Sequence, residues 1–318
     1  MSEKVVVVGV GMMGSGIAAV SALAGNPTTL VDVDADRARE GVERAKLHID
    51  QLVGGGLAEK SAAQRAEGLL GAETRIDEVC PGADLVIEAI TENLSAKQEL
   101  FRKLDEVTDP RTIITSNTSG LRITEIARFT DHPERTATTH FWFPAHLVPL
   151  VEVVMGDRTA LSTAESLRDR LAAWGKSPVI VKRDLPGQLA NRILQAIIRE
   201  AVNIVESGLA SPEDVDTAIK AGMAIRFPVW GPLEHIDAVG LDLALSVQRD
   251  VLPGLNNEPT PGNYLEALCA EGNLGAKTGR GFYDWKVKSM PKLAGCRDTF
   301  IMETVRLLKG LKDRGTCD

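Results

Sequence analysis

Disulfide chemistry has little to work with in this chain. Its four cysteines, Cys80, Cys269, Cys296 and Cys317, lie far apart in 318 residues. None forms a C-x-x-C pair and no histidines gather beside them at ligand spacing, so neither a disulfide framework nor a metal site is indicated. They read as the reduced thiols of a cytoplasmic protein. Positive charge is also short: 36 Lys and Arg against 44 Asp and Glu leave a formal net charge of -8. That balance argues against nucleic acid or an anionic membrane as a bulk partner. No apolar run approaches the roughly 20 residues of a membrane span. Met1-Ser2-Glu3-Lys4 leads straight into a strand-like run, which leaves no room for a signal peptide. What is plentiful is ordinary core material, with 44% of residues hydrophobic and 25% charged. Burial alone can fold a chain of this length, most naturally as two domains.

The opening run is the most informative one. Val5-Val6-Val7-Val8 makes a buried strand that enters Gly9-Val10-Gly11-Met12-Met13-Gly14, a G-x-G-x-x-G turn followed at once by a helical stretch. Gly9 allows the tight turn, Gly11 lets backbone approach a pyrophosphate, and Gly14 lets helix and strand pack closely. Met12 and Met13, the variable positions of the turn, are counted with the same site. Phosphates then sit on the helix N-terminus, where unpaired N–H groups and the dipole favour negative charge. Asp32 follows 18 residues after Gly14, at the end of a second strand. Its carboxylate is placed to accept from a ribose 2′-OH and would repel a 2′-phosphate, so the expected cofactor is NAD rather than NADP.

Strand-like stretches at 4–8, 28–33, 83–89, 112–116, 136–141, 150–154 and 177–180 alternate with helical ones at 15–24, 34–53, 95–107, 123–127 and 160–174. That alternation predicts an α/β fold, a Rossmann-type doubly wound parallel sheet. Beyond Asp184-Leu185-Pro186-Gly187 only helical patterns remain. The expected domains are therefore 1–184, binding NAD, and 185–318, all-α. Ala190, Ile193, Leu194, Ile197, Ile198, Ala201, Val202 and Val205 form a broad apolar stripe, whose width predicts deep burial, against a partner subunit as well as its own domain. Ser211 and Pro212 start a further helix, residues 223–242 read as loop-rich, and Ile301, Val305, Leu308 and Leu311 space a short amphipathic helix near the end.

A second constellation lies at His140-Phe141-Trp142-Phe143-Pro144 and Leu150-Val151-Glu152-Val153-Val154. Strand alternation turns Glu152 away from the side of Val151 and Val153. If the two strands are neighbours, His140 and Glu152 can touch. A carboxylate beside an imidazole fixes its tautomer and strengthens it as a general base for a hydroxyl proton. Taken alone, such a histidine at a strand end is more often structural than catalytic.

Eight segments occur in order: Gly9–Gly14 with Asp32, Glu88-Ala89-Ile90-Thr91-Glu92-Asn93, Ser116-Asn117-Thr118-Ser119, His140 to Pro144, Leu150 to Val154, Asp184 to Gly187, Asn191-Arg192, and Gly279-Arg280-Gly281-Phe282-Tyr283. Together they resemble the L-3-hydroxyacyl-CoA dehydrogenase family over nearly all of residues 4–285. The resemblance implies an N-terminal Rossmann domain joined to an all-helical domain through which a homodimer forms. It also implies that His140 is the catalytic base and Glu152 its orienting partner. Ser119 and Asn191 become substrate-side hydrogen-bonding residues, and Glu92, Lys97 and Asn117 lie near the nicotinamide ribose. Plainer roles stand beside these: Ser119 finishing a polar turn, Asn191 capping its helix, Glu92 in a solvated loop, and Lys97 pairing with acids at the surface.

The chain departs from the family at Phe143, where H-F-x-N-P has asparagine. An amide able to bond the substrate's carbonyl or thioester oxygen is replaced by a ring that cannot. Losing such a donor costs roughly 2.7–4 kcal/mol where it meets developing charge. Either another group substitutes, or the substrate is held differently with Phe143 in the pocket wall. Residues 143–150 and 200–208 look more like the branch acting on small hydroxy acids or alcohols, which includes L-gulonate 3-dehydrogenase (lambda-crystallin), L-carnitine dehydrogenase and a pyridine-carboxylate dehydrogenase. The basic residues Lys46, Lys60 and Arg65 are scattered rather than gathered for coenzyme A phosphates. The expected partner is thus a small-molecule hydroxy acid or acyl-CoA, and a non-catalytic NAD-binding protein is the alternative from another class.

Overall fold

The computed structural model describes residues 2–316, so Cys317 lies outside the described residues. The chain divides into two compact units, Met1–Ala190 and Asn191–Asp318. In the first unit the elements run β1 (Val5–Val8), α1 (Met12–Leu23), β2 (Thr28–Val31), α2 (Ala35–Gly54), α3 (Lys60–Glu67), β3 (Leu70–Glu73), α4 (Ile76–Val79), β4 (Leu85–Glu88), α5 (Leu94–Val107), β5 (Ile113–Ser116), α6 (Ile123–Ile126), β6 (Thr136–Phe141), β7 (Leu150–Val154), α7 (Leu161–Ala173) and β8 (Ser177–Val181). The strands form one sheet in the order β3-β2-β1-β4-β5-β6-β7-β8.

Four consecutive valines in β1 are explained by cover on both faces. Val5 and Val7 pack with Ile17 and Ala18 of α1, Ile49 of α2, and Leu167 and Leu171 of α7. Val6 and Val8 pack with Phe101 and Leu104 of α5 and Ile123 and Ile126 of α6. A strand buried on both faces loses the polar alternation of a half-exposed one. The order of the sheet reverses between β1 and β4, and a crevice opens there at the carboxyl ends of the strands, where open α/β sheets bind ligands.

The sheet is the expected Rossmann type, with two features beyond the sequence-based expectation. β3 is an additional edge strand paired only with β2. β7 runs antiparallel to β6, bringing His140 opposite Glu152. Residues 142–149 between them are too few for the crossover of roughly a dozen residues that a parallel pair needs.

The second unit contains α8 (Ala190–Glu206, which begins at the last residue of the first unit), α9 (Pro212–Ala218), α10 (Pro232–Val239), α11 (Leu241–Val251), α12 (Asn263–Ala270) and α13 (Met290–Asp313). Ser211 caps α9 as its sequence implies. Residues 223–242 are more helical than expected, because Gly231-Pro232 starts α10 and Gly240 permits an immediate second start at α11. The final helix is also longer, 24 residues, with Ser289 capping it. The α8 stripe is not deeply buried within this chain: Ile193 is 54% exposed and Val202 is buried.

Candidate active site

The glycine-rich turn has the geometry its residues demand. Gly9 is left-handed at φ 102 and lies against Ala89 and Ile90 after β4, so a side chain there would strike backbone. A Cβ on Gly14 would overlap the Gly9 carbonyl, whereas one on Gly11 would meet nothing within 4 Å. Gly11 is also the N-cap of α1 and supplies no side-chain bond. With no side-chain cap, the first N–H groups of that helix are left to other acceptors, a setting that fits a pyrophosphate. Met12 is exposed, and Met13 faces the pocket described below. Asp32, buried just beyond β2, accepts from the Asp34 N–H at 3.3 Å and lies 3.4 Å from the Arg37 guanidinium. The donor and acceptor set suits a dinucleotide with a free ribose diol.

On the neighbouring side of the crevice Lys97 is not a surface residue. It is 1% exposed, its Nζ 2.6 Å from Glu88 Oε1 and 3.4 Å from Glu92. Glu88 also accepts from the Ile90 N–H at 2.6 Å and from the Ser116 hydroxyl. Glu92 Oε1 accepts from the Thr118 hydroxyl and from the Ser119 and Gly120 N–H groups, both at 3.2 Å. Partial burial opposes ionisation of Glu92, but the Thr118 bond and the Lys97 charge outweigh it and hold the carboxyl below its usual value. Glu92 is thus a clamp on the loop that carries Ser119. Asn117 accepts the Phe141 N–H through Oδ1 at 2.8 Å, tying the end of β5 to the end of β6.

His140 Nδ1 lies 2.7 Å from Glu152 Oε2 across the β6–β7 ladder. A carboxylate only accepts, so Nδ1 carries the hydrogen and the neutral ring keeps its lone pair on Nε2. Glu152 is fully buried and accepts three further bonds. Trp142 Nε1–H donates to Oε2 at 3.0 Å, and the Leu189 and Ala190 N–H groups donate to Oε1 at 2.9 and 2.8 Å. Burial pushes this carboxyl up, yet His140, Ala190, Trp142 and Leu189 together bring it down to about 2. Glu152 is therefore a fixed negative charge at every working pH.

These groups meet at a pocket of about 310 Å³ lined by Met13, Ile90, Glu92, Asn117, Ser119, His140 and Phe143, among others. Phe143 is 48% exposed there and precedes Pro144 through a cis peptide. Asn191 belongs to the second unit, where it sits inside the first turn of α8 rather than capping it; its Oδ1 accepts from Gln195 at 3.4 Å. Sequence reasoning missed three participants: Glu88, Trp142 and Thr118. Each lies inside a motif already singled out, and a buried acid on a strand otherwise made of Leu85, Val86 and Ile87 was the available signal for Glu88.

Known proteins match this arrangement along its length. Residues 4–185 match the family described as 3-hydroxyacyl-CoA dehydrogenase, NAD binding domain, and residues 187–285 match 3-hydroxyacyl-CoA dehydrogenase, C-terminal domain. The chain is 34% identical over 313 residues to 5-formyl-3-hydroxy-2-methylpyridine 4-carboxylate 5-dehydrogenase of Mesorhizobium japonicum, covering 98% of this chain and 99% of that one. It is 38% identical over 288 residues to the probable 3-hydroxybutyryl-CoA dehydrogenase of Bacillus subtilis, covering 90% of this chain and 99% of the relative. A crystal structure of the pyridine-carboxylate 5-dehydrogenase, described as an NAD+ dependent dismutase, superposes with a TM-score of 0.89 at 32% identity, covering 98% of this chain and 99% of that one. These matches bear out the resemblance carried by the eight ordered motifs.

Proposed function

The chain belongs to the 3-hydroxyacyl-CoA dehydrogenase family of NAD-dependent oxidoreductases acting on CH–OH groups, and from that premise we propose how its own residues perform the reaction. A secondary hydroxyl of a 3-hydroxyacyl-CoA or related 3-hydroxy acid is interconverted with a ketone, His140 acting as general base and Glu152 orienting it. The observation that carries this reading is the 2.7 Å His140–Glu152 contact in the wall of a pocket that Met13 of the dinucleotide turn also lines. NAD, when bound, supplies the hydride acceptor, with Gly9, Gly11, Met12, Met13, Gly14 and Asp32 holding it and Glu92, Lys97 and Asn117 near its nicotinamide ribose. His140 Nε2 takes the hydroxyl proton in the oxidative direction and returns it in the other. Glu152 stays ionised throughout, so the imidazolium that forms meets a charge already in place. Ser119 and Asn191 supply hydrogen bonds on the substrate side. General-base catalysis contributes typically about 10²–10⁴-fold, and His140→Ala should lose at least that in kcat/KM. Parent-like turnover by this variant overturns the reading.

Phe143 favours a second reading, a small non-CoA hydroxy acid or alcohol as substrate. The family's amide is gone from the pocket, and the pyridine-carboxylate relative matches this chain over 98% of its length. A panel of 3-hydroxybutyryl-CoA, carnitine, gulonate and aromatic alcohols, run with NAD and NADP in parallel, decides between the two. Phe143→Asn should raise acyl-CoA turnover relative to small acids if the ring defines a non-CoA pocket. An unchanged ratio rejects that role.

A homodimer is the assembly that the second unit favours. Of its described residues only Val202 is buried, while Ile193, Leu194, Ile198, Leu233 and Leu241 are exposed. A helical unit without a covered core needs apolar cover from elsewhere. Light scattering that returns a monomer mass at micromolar concentration rejects the dimer. The free thiols Cys80, Cys269 and Cys296 favour a reducing compartment, the cytoplasm; recovery from an oxidising compartment by cell fractionation counts against it.

A further inference from the structure

Gln188 is unusual in two independent respects. Among the described residues it is the one non-glycine held in the left-handed region, at φ 52. Its Oε1 is also the one buried side-chain polar atom among them that lacks a hydrogen-bond partner. Turning the amide over offers no remedy. Nε2 donates to the Thr118 carbonyl at 3.0 Å, and the reversed amide would set two acceptors face to face. A disfavoured backbone conformation and an unmet buried acceptor both cost stability, and a residue carrying both points to what it does for its neighbours.

Those neighbours are the two halves of the pocket wall. Gly187 and Gln188 are successive left-handed residues. The turn they make aims the next two N–H groups, Leu189 and Ala190, at Glu152 Oε1. The side chain reaches instead to Thr118, whose own hydroxyl is held by Glu92 together with the Ser119 and Gly120 amides. One residue therefore bonds the loop that presents Ser119 through its side chain and immediately precedes the two N–H groups that hold the acid of the proposed dyad.

We propose that Gln188 is a positioning residue that locks the Ser119 loop and the buried Glu152 carboxylate in a single register, its side chain holding the loop and its left-handed backbone directing the Leu189 and Ala190 N–H groups to the acid. The catalytic consequence rests on the His140–Glu152 reading; the mechanical tie can be measured without any substrate. Two variants separate its halves. Q188L keeps the volume and a backbone no more restricted than glutamine's, but removes the amide. Q188V adds a β-branched residue that the left-handed region does not accept.

Hydrogen exchange at Ser119 and Gly120 reports the loop. The indole N–H resonance of Trp142 reports Glu152, because that N–H donates to its Oε2. In Q188L the Ser119 and Gly120 amides should exchange about fivefold faster or more, the effect of one lost hydrogen bond, with the Trp142 resonance unmoved. In Q188V both readouts should change while the indoles of Trp174, Trp230 and Trp285 keep their positions, which general loosening of the fold would not produce. Parent values of exchange and indole shift in both variants overturn the proposal, and Q188L alone decides it if Q188V does not fold. A His140→Ala variant that turns over like the parent would instead overturn the catalytic reading and leave the tie standing.

Discussion

At the scale of single residues, two buried carboxylates do different work. Glu88 and Lys97 are 0% and 1% exposed and 2.6 Å apart, so each neutralises a charge that the interior would not otherwise hold. Lys97→Met leaves the buried Glu88 carboxyl without its partner. The expected loss is about 3–5 kcal/mol, the cost of breaking a buried pair, and urea unfolding checks it. A loss under about 1 kcal/mol would be that of a surface pair. Glu152, by contrast, is held down to about 2 by four donors. A carboxyl lowered on folding contributes stability that is complete above its unfolded value of 4.5 and is lost as the pH falls from there toward 2. Glu152→Gln should flatten that acid arm of the stability curve and also lower kcat/KM by about 10²-fold or more, as loss of the charge that matches the imidazolium. An acid arm as steep as the parent's would mean the carboxylate is not held as described.

Among elements, the connection 142–149 between β6 and β7 decides how well the pocket wall is defined. Lys176 Nζ donates to the Ala145 and Val148 carbonyls at 2.6 and 3.0 Å, and His146 Nε2–H donates to Gln51 Oε1 at 2.8 Å. His146 also stacks on His48, ring centroids 4.0 Å apart. Burial pushes Lys176 down to about 7 from 10.5. Between those values the unfolded chain holds a proton that the folded one lacks, so stability should rise with pH across that window. Lys176→Met should abolish the rise, as followed by thermal midpoints; a rise that persists places its source elsewhere. Burial first, then His48 and Lys176, push His146 down to about 3, so its contribution is present above about 6.5 and is lost as the pH falls. How much of this was legible depended on periodicity. The run Val5–Val8 with its glycines announced β1 and α1, and the acid flanked by Val151 and Val153 allowed a pair with His140 only if their strands were neighbours, as β6 and β7 are. β3 was silent because Leu70-Gly71-Ala72-Glu73 has no β-branched residue and only an edge position to fill. The antiparallel turn of β7 and the tertiary bonds of Trp142 and Gln188 were silent too, since neither strand direction nor a contact 10 or 70 residues away leaves a periodic pattern.

For the whole molecule, the contrast between the units is the guiding fact: β1 and β4 are buried at every position, whereas Val202 is the one buried residue among those described in the second unit. If a second copy covers those helices, Ile193→Asp should yield monomers. The parent's Tm should rise with protein concentration, as mass action requires; a concentration-independent Tm rejects the coupling. The β6–β7 ladder carries the opposite lesson, about autonomy. His140, Trp142, Phe143 and Glu152 all lie on one hairpin closed by residues 142–149, with base and acid in register across it. On the proposed reading, the base, its orienting acid and the Phe143 wall therefore share one short segment, apart from Ser119 and Asn191. Replacing residues 136–154 of this chain by the matching segment of the Bacillus subtilis relative should move substrate preference toward that of the donor while the dinucleotide half stays native. If that graft moves the preference, substrate choice in this fold is separable from the β1–β4 cofactor crevice, and one hairpin is the unit that carries it.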